Sequence, residues 1–529
     1  MKNVREKECF LREEWERFQQ FLRSNWGFVL FAALLTVVCY AHNAFTGNIR
    51  VDSEIFINNP GTMQGWLKNE RFGQPILKAL LHNTYYNPYW SGILFLLLFF
   101  GGCVLWCYLF DTIAPGMKYK WVFALVYLTA QTWAYMFYFS MMSAEVALGI
   151  AMIPFALLIL CRMAGKPLRR AWFGYLIAAG CFFLSMASYQ ANASLIVSGA
   201  AFCLLLWAGS LVEKSEAEET ANLRFSLFLR RALVYVVPFL CAFVVYEIVA
   251  KLFFSAGDYL DALNWWRIFP VKTCLHNIAG KIKQSILGTS IAYSAAYGVA
   301  LLLTAVYLIM LLFRRCSVQA KSCILLTAAV LCVSPFLLLF LLANISAPRT
   351  QFSLQFCAAA LLFFCVNRLE LKGFVRRLVR PTIVICALLI GVQQVTRMQR
   401  LFYTDDIRYN QDRDFAVELV QTIDSCCGER TEELPVVFVG KKDVPLNDAC
   451  IESDVFGHSM FSWDYSAAEP ARNNSRALGF IENAFGIEYK IATAEQRKQA
   501  EKIAKEMPCY PQDGSIREKD GLIVVKLSD

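Results

Sequence analysis

Two carboxylates stand directly after the first long apolar segment of the chain. Residues 24–47 contain no Asp, Glu, Lys or Arg, and Asp52 and Glu54 follow within Val51-Asp-Ser-Glu54. A carboxylate beside a membrane cavity can act as a general base that takes the proton of an attacking hydroxyl. A pair of carboxylates can also hold a divalent cation, Mg or Mn. We expect Asp52 and Glu54 to be catalytic; ordinary loop residues beyond a helix end are the alternative.

Three cationic side chains are candidates for binding a phosphate group. Arg71 lies in the loop that carries the two acids, Arg349 lies in a short turn between two later apolar segments, and Lys251 follows another such segment. A guanidinium suits bidentate contact with phosphate oxygens, and a lysine contributes a point charge. We expect these residues to bind a donor phosphate. For Arg349, a side chain that merely reaches the lipid headgroups is the alternative.

Further polar residues near predicted helix ends are candidates for contact with a sugar or an acceptor. Glu145 is the charged residue within a long apolar run, and stabilisation by the helix dipole at an N-terminus is its other explanation. The remaining candidates are Trp66, His82, and the pair Tyr189 and Gln190, for which a hydrogen bond within the turn is the alternative. The histidines are scattered and no CxxC pairing is present, so the sequence predicts no dedicated metal site.

The composition places these residues in a membrane protein. Of 529 residues, 57% are hydrophobic and 18% are charged, which is unlike ordinary soluble proteins. About 20 apolar residues cross a bilayer as a helix. Candidate spans are 25–45, 90–110, 121–139, 142–161, 172–188, 192–212, 232–250, 291–313, 323–343, 351–366 and 381–397. The sequence therefore predicts an all-α membrane bundle of about 11 helices over residues 24–397, after a segment of residues 1–23.

The loops between these spans predict their orientation. Lys and Arg are concentrated in the N-terminal segment and in alternate loops, whereas the opposite short turns contain few. The positive-inside rule places the N-terminus in the cytoplasm of a multi-pass protein of the cell (plasma or inner) membrane. An odd number of spans then places the C-terminal region outside. The net charge of +9 is dispersed over these loops, so it does not indicate a nucleic-acid partner.

Three parts of the chain lie outside the predicted spans. The outer loop 46–89 carries the acids, and a second outer loop covers 251–290. The tail, 398–529, is more polar and alternates between helical and strand patterns. We predict a small extracytoplasmic α/β domain there, with helices at 412–423 and 493–506 and strands at 434–440 and 522–527.

Short motifs follow one another along the chain: Val51-Asp-Ser-Glu54, Trp66 with Arg71-Phe-Gly73, Ser188-Tyr-Gln190, Ala347-Pro-Arg349, and Asp405-Asp-Ile-Arg-Tyr409 with Asp412. Their order resembles the bacterial Gtr-type glucosyl transferase II family, within the GT-C class of membrane glycosyltransferases. The resemblance implies inverting transfer of a sugar, typically glucose, from a polyprenyl-phosphate donor to a surface glycan such as O-antigen, outside the membrane. It implies Asp52 as the base, with Glu54 as second candidate or metal ligand. Many GT-C proteins have adjacent acids, whereas serine separates them here.

Two other functions stay open at this point. A polysaccharide polymerase or ligase would use a lipid-diphosphate-linked glycan. A lipid-linked-sugar transporter or flippase predicts matching halves with broken helices, whereas the charges here cluster at the outer helix ends. The chain has no P-loop, GxSxG elbow or HExxH motif, so we expect a donor that is already in the membrane. The sequence does not predict the oligomeric state.

Overall fold

The structure, a computed structural model, describes residues 2–59, 63–218, 223–254, 262–314, 316–344, 347–369 and 374–529. Residues 60–62 and 255–261 of the two predicted outer loops lie outside the described residues. Most of the described chain is helical, and a small sheet lies near its C-terminus.

The helices before residue 254 form the first half of the bundle. They are α1 (Lys2–Ser24), α2 (Trp26–Ala44), α3 (Ser53–Asn58), α4 (Gln64–Lys68), α5 (Gly73–Leu80), α6 (Pro88–Ile113), α7 (Lys120–Leu128), α8 (Thr132–Tyr138), α9 (Ser140–Met163), α10 (Leu168–Ser188), α11 (Asn192–Glu218) and α12 (Phe225–Phe253).

The remaining elements complete the bundle and form the tail. They are α13 (Val271–Leu287), α14 (Ala296–Phe313), α15 (Val318–Val333), α16 (Leu337–Leu342), α17 (Phe352–Arg368), α18 (Phe374–Cys427), α19 (Arg430–Glu433), β1 (Val436–Val439), α20 (Asn474–Phe485), α21 (Ala494–Ala504), β2 (Ile516–Lys519) and β3 (Leu522–Lys526).

Long apolar helices confirm that this is a multi-pass membrane protein. Within the described ranges, nine helices are long and apolar enough to cross a bilayer. Two predicted spans are shorter than expected. Span 121–139 is divided into α7 and α8, and span 351–366 corresponds to α17, which has 17 residues. Almost every residue of α17 is buried, so neighbouring helices surround it.

Side chains from other positions stabilise the break between α7 and α8. Tyr40 Oη donates to the backbone oxygen of Leu128 at 2.6 Å, and Trp133 Nε1 donates to that of Tyr127 at 2.7 Å. Thr129 Oγ1 donates to the backbone oxygen of Leu125 at 2.6 Å. Because these carbonyls are hydrogen-bonded inside the protein, the helix can be interrupted at membrane depth.

One long helix joins the membrane bundle to the tail. Helix α18 has 54 residues and so extends about 80 Å at 1.5 Å per residue. It contains the predicted last span, 381–397, and the predicted tail helix, 412–423. The predicted boundary between residues 397 and 398 therefore lies inside a continuous helix.

The tail contains a three-stranded sheet in the order β1-β3-β2. Strands β1 and β3 are parallel, with Val436 opposite Ile523, and β2 pairs with β3 in the antiparallel sense. The predicted strands at 434–440 and 522–527 and the predicted helix at 493–506 are confirmed as β1, β3 and α21. Strand β2 and helix α20 were not predicted.

Buried ion pairs fasten the segment after α2 to the long helix α18. Asp405 accepts hydrogen bonds from Arg50 Nε at 2.7 Å and from Arg408 Nη2 at 2.6 Å, and these three side chains are at most 2% exposed. Arg408 Nη1 also donates to the backbone oxygen of Ile49 at 2.9 Å. Removing one partner of a buried pair costs about 3–5 kcal/mol because an uncompensated charge is left behind. The start of the first outer loop is therefore fixed to α18.

The same network extends into the tail. Asp412 accepts hydrogen bonds from Ser459 Oγ at 2.6 Å and from the backbone nitrogen of Met460 at 2.9 Å. Its other contact is Arg408, at 3.5 Å. Acids and an arginine of the fifth sequence motif thus connect the first outer loop, α18 and the tail.

Candidate active site

The two first-loop carboxylates lie at the start of α3. The backbone nitrogen of Arg50 donates to Ser53 Oγ at 2.8 Å, and that of Ser53 donates to the oxygen of Arg50 at 3.0 Å. This turn places Asp52 in the left-handed region, at φ 70°, which costs a non-glycine residue about 1 kcal/mol. The side chain of Asp52 is 38% exposed, whereas that of Glu54 is 1% exposed. Of the two carboxylates, Asp52 is the one that faces solvent.

Both carboxylates contact one arginine of the tail. Arg476 in α20 places Nη1 3.2 Å from Asp52 Oδ1 and 2.7 Å from Glu54 Oε1. Its Nε donates to Asp464, a third carboxylate. Asn483, also in α20, donates from Nδ2 to the backbone oxygen of Glu54 at 2.7 Å. The tail thus forms one wall of the site that holds the predicted acids.

Burial and charge act in opposite directions on Glu54 and Arg476. Burial raises the pKa of Glu54 from 4.5 to about 7, against the effect of Arg476, which lowers it. Burial by itself lowers the pKa of Arg476, but the carboxylates of Asp52, Glu54 and Asp464 raise it above its ordinary value. The guanidinium therefore stays charged, while the carboxyl of Glu54 titrates at a higher pH than an ordinary glutamate.

The sequence did not single out Arg476 or Asp464. Arg476 lies more than 400 residues after the acids, on a helix whose pattern is that of an ordinary amphipathic surface helix. Its partners come from the far end of the chain and belong to different elements. No local spacing could therefore have indicated this contact.

Two of the predicted phosphate-binding arginines each contact the start of α9. Arg71 places Nη1 3.9 Å from Met142 Sδ, and Arg349 places Cζ 4.5 Å from the ring centroid of Phe139. Phe139 and Met142 are about one turn apart at the helix N-terminus, where the helix dipole is positive and favours an anion. Arg349 Nη1 also lies 3.7 Å from Asp454 Oδ2. Helix α3 packs against α9, so the acids and these arginines occupy neighbouring elements.

Tyr189 and Gln190 lie where the first outer loop meets the C-terminal end of α10. The Arg71 guanidinium lies 4.7 Å from the ring centroid of Tyr189, whose side chain is buried. Gln190 Nε2 donates to the backbone oxygen of Asn69 at 2.7 Å. The structure thus brings both residues to Arg71 and its loop; their contact with a sugar stays a prediction.

Glu145 anchors the first outer loop on α9. Its fully buried carboxylate pairs with Lys78 Nζ at 3.2 Å and accepts a hydrogen bond from Asn83 Nδ2 at 2.7 Å. Both partners belong to the loop 46–89, and Lys78 also donates to the backbone oxygen of Met141. Glu145 is the sixth residue of α9 and lies beyond its first turn, where the helix dipole has little effect. Its counter-charge is Lys78, and sugar contact by Glu145 stays a prediction.

Three other predicted residues lie apart from this cluster or inside the protein. Trp66 is buried and stacks on Phe56 of α3, with ring centroids 5.2 Å apart. Lys251 is 77% exposed and lies 3.6 Å from Glu247 of its own helix. His82 is exposed, with a φ of 51°. Within the described residues, no hydrogen bond or ion pair joins Lys251 or His82 to Arg71 or Arg349.

The acids of this site contact an arginine rather than forming an open set of metal ligands. Within the described ranges, no group of three or more His, Cys, Asp or Glu side chains could hold a metal ion. Asp52, Glu54 and Asp464 converge on Arg476, whose charge occupies the position that a cation would need. The predicted option of Mg or Mn on Asp52 and Glu54 therefore does not fit this arrangement.

We predict that Glu54→Gln changes the pH dependence of stability. A carboxyl whose pKa rises from 4.5 to about 7 on folding makes the folded state bind more protons, so stability falls as pH rises through this window. This shift corresponds to about 3 kcal/mol. Glutamine does not titrate. The melting temperature of the variant in detergent, relative to that of the wild type, should therefore increase as the pH rises from 4.5 to about 7.

The exposed Glu432 provides a control, since Glu432→Gln should follow the wild type at each pH. If the melting temperatures of Glu54→Gln and the wild type differ by the same amount at every pH between 4.5 and 7, the result would contradict the raised pKa of Glu54.

The family model described as Glucosyl transferase GtrII matches residues 41–367. No curated protein and no solved structure matches the chain. The matched range begins before Asp52 and Glu54 and includes Arg71 and Arg349, whereas Arg476 lies beyond it. It covers more than half of the chain and confirms the resemblance seen in the motifs: the protein belongs to the GtrII glucosyl transferase family.

Proposed function

We propose that this protein transfers a glucosyl group from a polyprenyl-phosphate donor to a surface glycan, with inversion at the anomeric carbon. The observation that carries the proposal is the position of Asp52. Its partly exposed carboxylate follows the first apolar helix and lies beside the cation of Arg476. Family membership supports glucose as the transferred group. The apolar helices support a donor that diffuses within the bilayer, as in the GT-C class.

In this proposal Asp52 is the general base. It takes the proton of the acceptor hydroxyl while the acceptor oxygen bonds to the anomeric carbon. The bond from that carbon to the phosphate oxygen breaks on the opposite face, and polyprenyl phosphate leaves with the electron pair. Glu54 is the second candidate, but its burial behind Arg476 suits it better to holding the guanidinium.

Arg71 and Arg349 are the proposed ligands of the donor phosphate. Negative charge develops on the phosphate as the glycosidic bond breaks, and fixed cations in a partly buried site stabilise it. Both side chains lie against the first turn of α9, whose dipole acts in the same sense. This cluster gives Arg349 a function beyond reaching towards lipid headgroups.

We propose that the site faces outside the cell membrane. Basic residues concentrate at the opposite ends of the helices, for example between α9 and α10, and so support a cytoplasmic N-terminus. An extracytoplasmic site has no nucleotide sugar at hand, which agrees with a lipid-linked donor. The described contacts give no separate support to a polymerase or ligase, or to a flippase.

Asp52→Asn should abolish glucosyl transfer while the protein still accumulates in the membrane. Loss of a general base lowers the rate by about 10²- to 10⁴-fold. The measurement is glucose transfer by purified protein supplied with polyprenyl-phosphate-glucose and a panel of glycan acceptors. Asp414→Asn, at an exposed position in α18, is the matched control and should keep full activity. Full activity of Asp52→Asn would refute the assignment of the base.

Arg349→Gln should weaken use of the donor more than use of the acceptor. Losing a charge-assisted hydrogen bond to phosphate corresponds to about a tenfold or larger rise in the KM for the lipid donor. The KM for the glycan acceptor should stay near the wild-type value in the same assay. Arg413→Gln, on the exposed surface of α18, is the control. A donor KM that does not change would rule out the proposed phosphate contact.

A further inference from the structure

A large groove lies at the other end of the bundle from the carboxylates. It has a volume of about 1000 Å³ and is bounded by α10, α12 and the loop between α9 and α10. Helix α10 runs from Leu168, which lines the groove, to Ser188, whose backbone oxygen accepts a hydrogen bond from Gln74 of the first outer loop. The 21 residues of this helix separate the two regions by about 30 Å. The groove is therefore distinct from the candidate active site.

The groove combines an apolar wall with a cationic end. Its wall includes Trp172, Tyr175, Leu176, Val234, Val237 and Pro238. Its cationic residues are Lys166, Arg230 and Arg231, and none of the lining residues is acidic. This combination matches a molecule with an anionic head and apolar chains.

Arg231 is the residue that most clearly requires an anion. It lies about two turns into α12, with its guanidinium 5.8 Å from the ring centroid of Trp207 and 5.7 Å from that of Tyr235. Its Nη2 lies 3.3 Å from Cys161 Sγ, and its buried Nε has no hydrogen-bond partner among the described residues. No ion pair with a described carboxylate is found for it. An arginine at such a depth is costly without a counterion.

We propose that this groove binds an anionic phospholipid. The phosphate would contact Arg230 and Arg231, because guanidinium groups suit bidentate contact with phosphate oxygens. The acyl chains would lie along the wall formed by α10 and α12. A free phosphate ion would satisfy the arginines but leave the apolar wall uncovered. The wall residues Trp172, Leu176 and Val237 are about half exposed or more, so in this proposal a phospholipid enters from the bilayer.

The test is lipid retention by the full chain. The protein is reconstituted in nanodiscs of phosphatidylglycerol or phosphatidylcholine, released, and examined by native mass spectrometry for bound lipid. Wild type should retain phosphatidylglycerol in preference to phosphatidylcholine. The variant Arg230→Gln/Arg231→Gln should retain about tenfold less phosphatidylglycerol, the loss that one charge-assisted hydrogen bond implies. The control Arg169→Gln/Arg170→Gln changes an exposed pair at the same end of α10 and should retain the wild-type amount.

A second variant keeps the proposal testable if the double variant does not fold. Arg231→Lys preserves the charge but loses the planar guanidinium, so phosphatidylglycerol retention should fall while phosphatidylcholine retention does not change. Equal retention of the two lipids by wild type, or undiminished phosphatidylglycerol in the arginine variants, would overturn the proposal. Displacement by inorganic phosphate alone, or preferential binding of added polyprenyl phosphate, would assign the groove to a different ligand and also overturn it.

Discussion

Charges buried between the first outer loop and the tail are stable only when each has an opposite charge beside it. Asp405 lies between Arg50 and Arg408, and Glu54 contacts Arg476. The contacts of Arg50 with α18 and of Glu54 with α20 join residues more than 350 positions apart. Arg50 precedes the turn at Asp52 and Glu54 follows it, and each is paired with a residue of α18 or α20. The geometry of the two carboxylates therefore depends on the fold of the tail.

Three parts of the chain contribute residues to the candidate site: the first outer loop, the start of α9 and the tail. The first loop supplies an open carboxylate, Asp52, in a left-handed turn. Arg71 and Arg349 contact residues at the start of α9, where the helix dipole would also stabilise a bound phosphate. The tail supplies Arg476, which touches both acids without leaving Asp52 buried. In the proposed reaction the tail is therefore a positioning element for the base rather than an appended domain.

Apolar runs were enough to predict most of the bundle, because crossing a bilayer demands long apolar helices. They did not predict the break between α7 and α8, which depends on hydrogen bonds from the distant Tyr40 and the nearby Trp133. Asp52 and Glu54 stood out because acids are unusual directly after a membrane span. The role of Arg476 could not be predicted in this way. A single arginine on an amphipathic helix does not indicate contact with a residue more than 400 positions away.

The central claim is that the first-loop acids and helix α20 form one site, and the rate of glucosyl transfer by an Arg476 variant tests it most directly. Replacing Arg476 by glutamine removes the cation that contacts Asp52 and Glu54, and the loss of such charge-assisted hydrogen bonds should lower kcat about tenfold or more. Arg472→Gln, at an exposed position just before the same helix, should keep the wild-type rate. An Arg476→Gln enzyme with the wild-type rate would contradict the account.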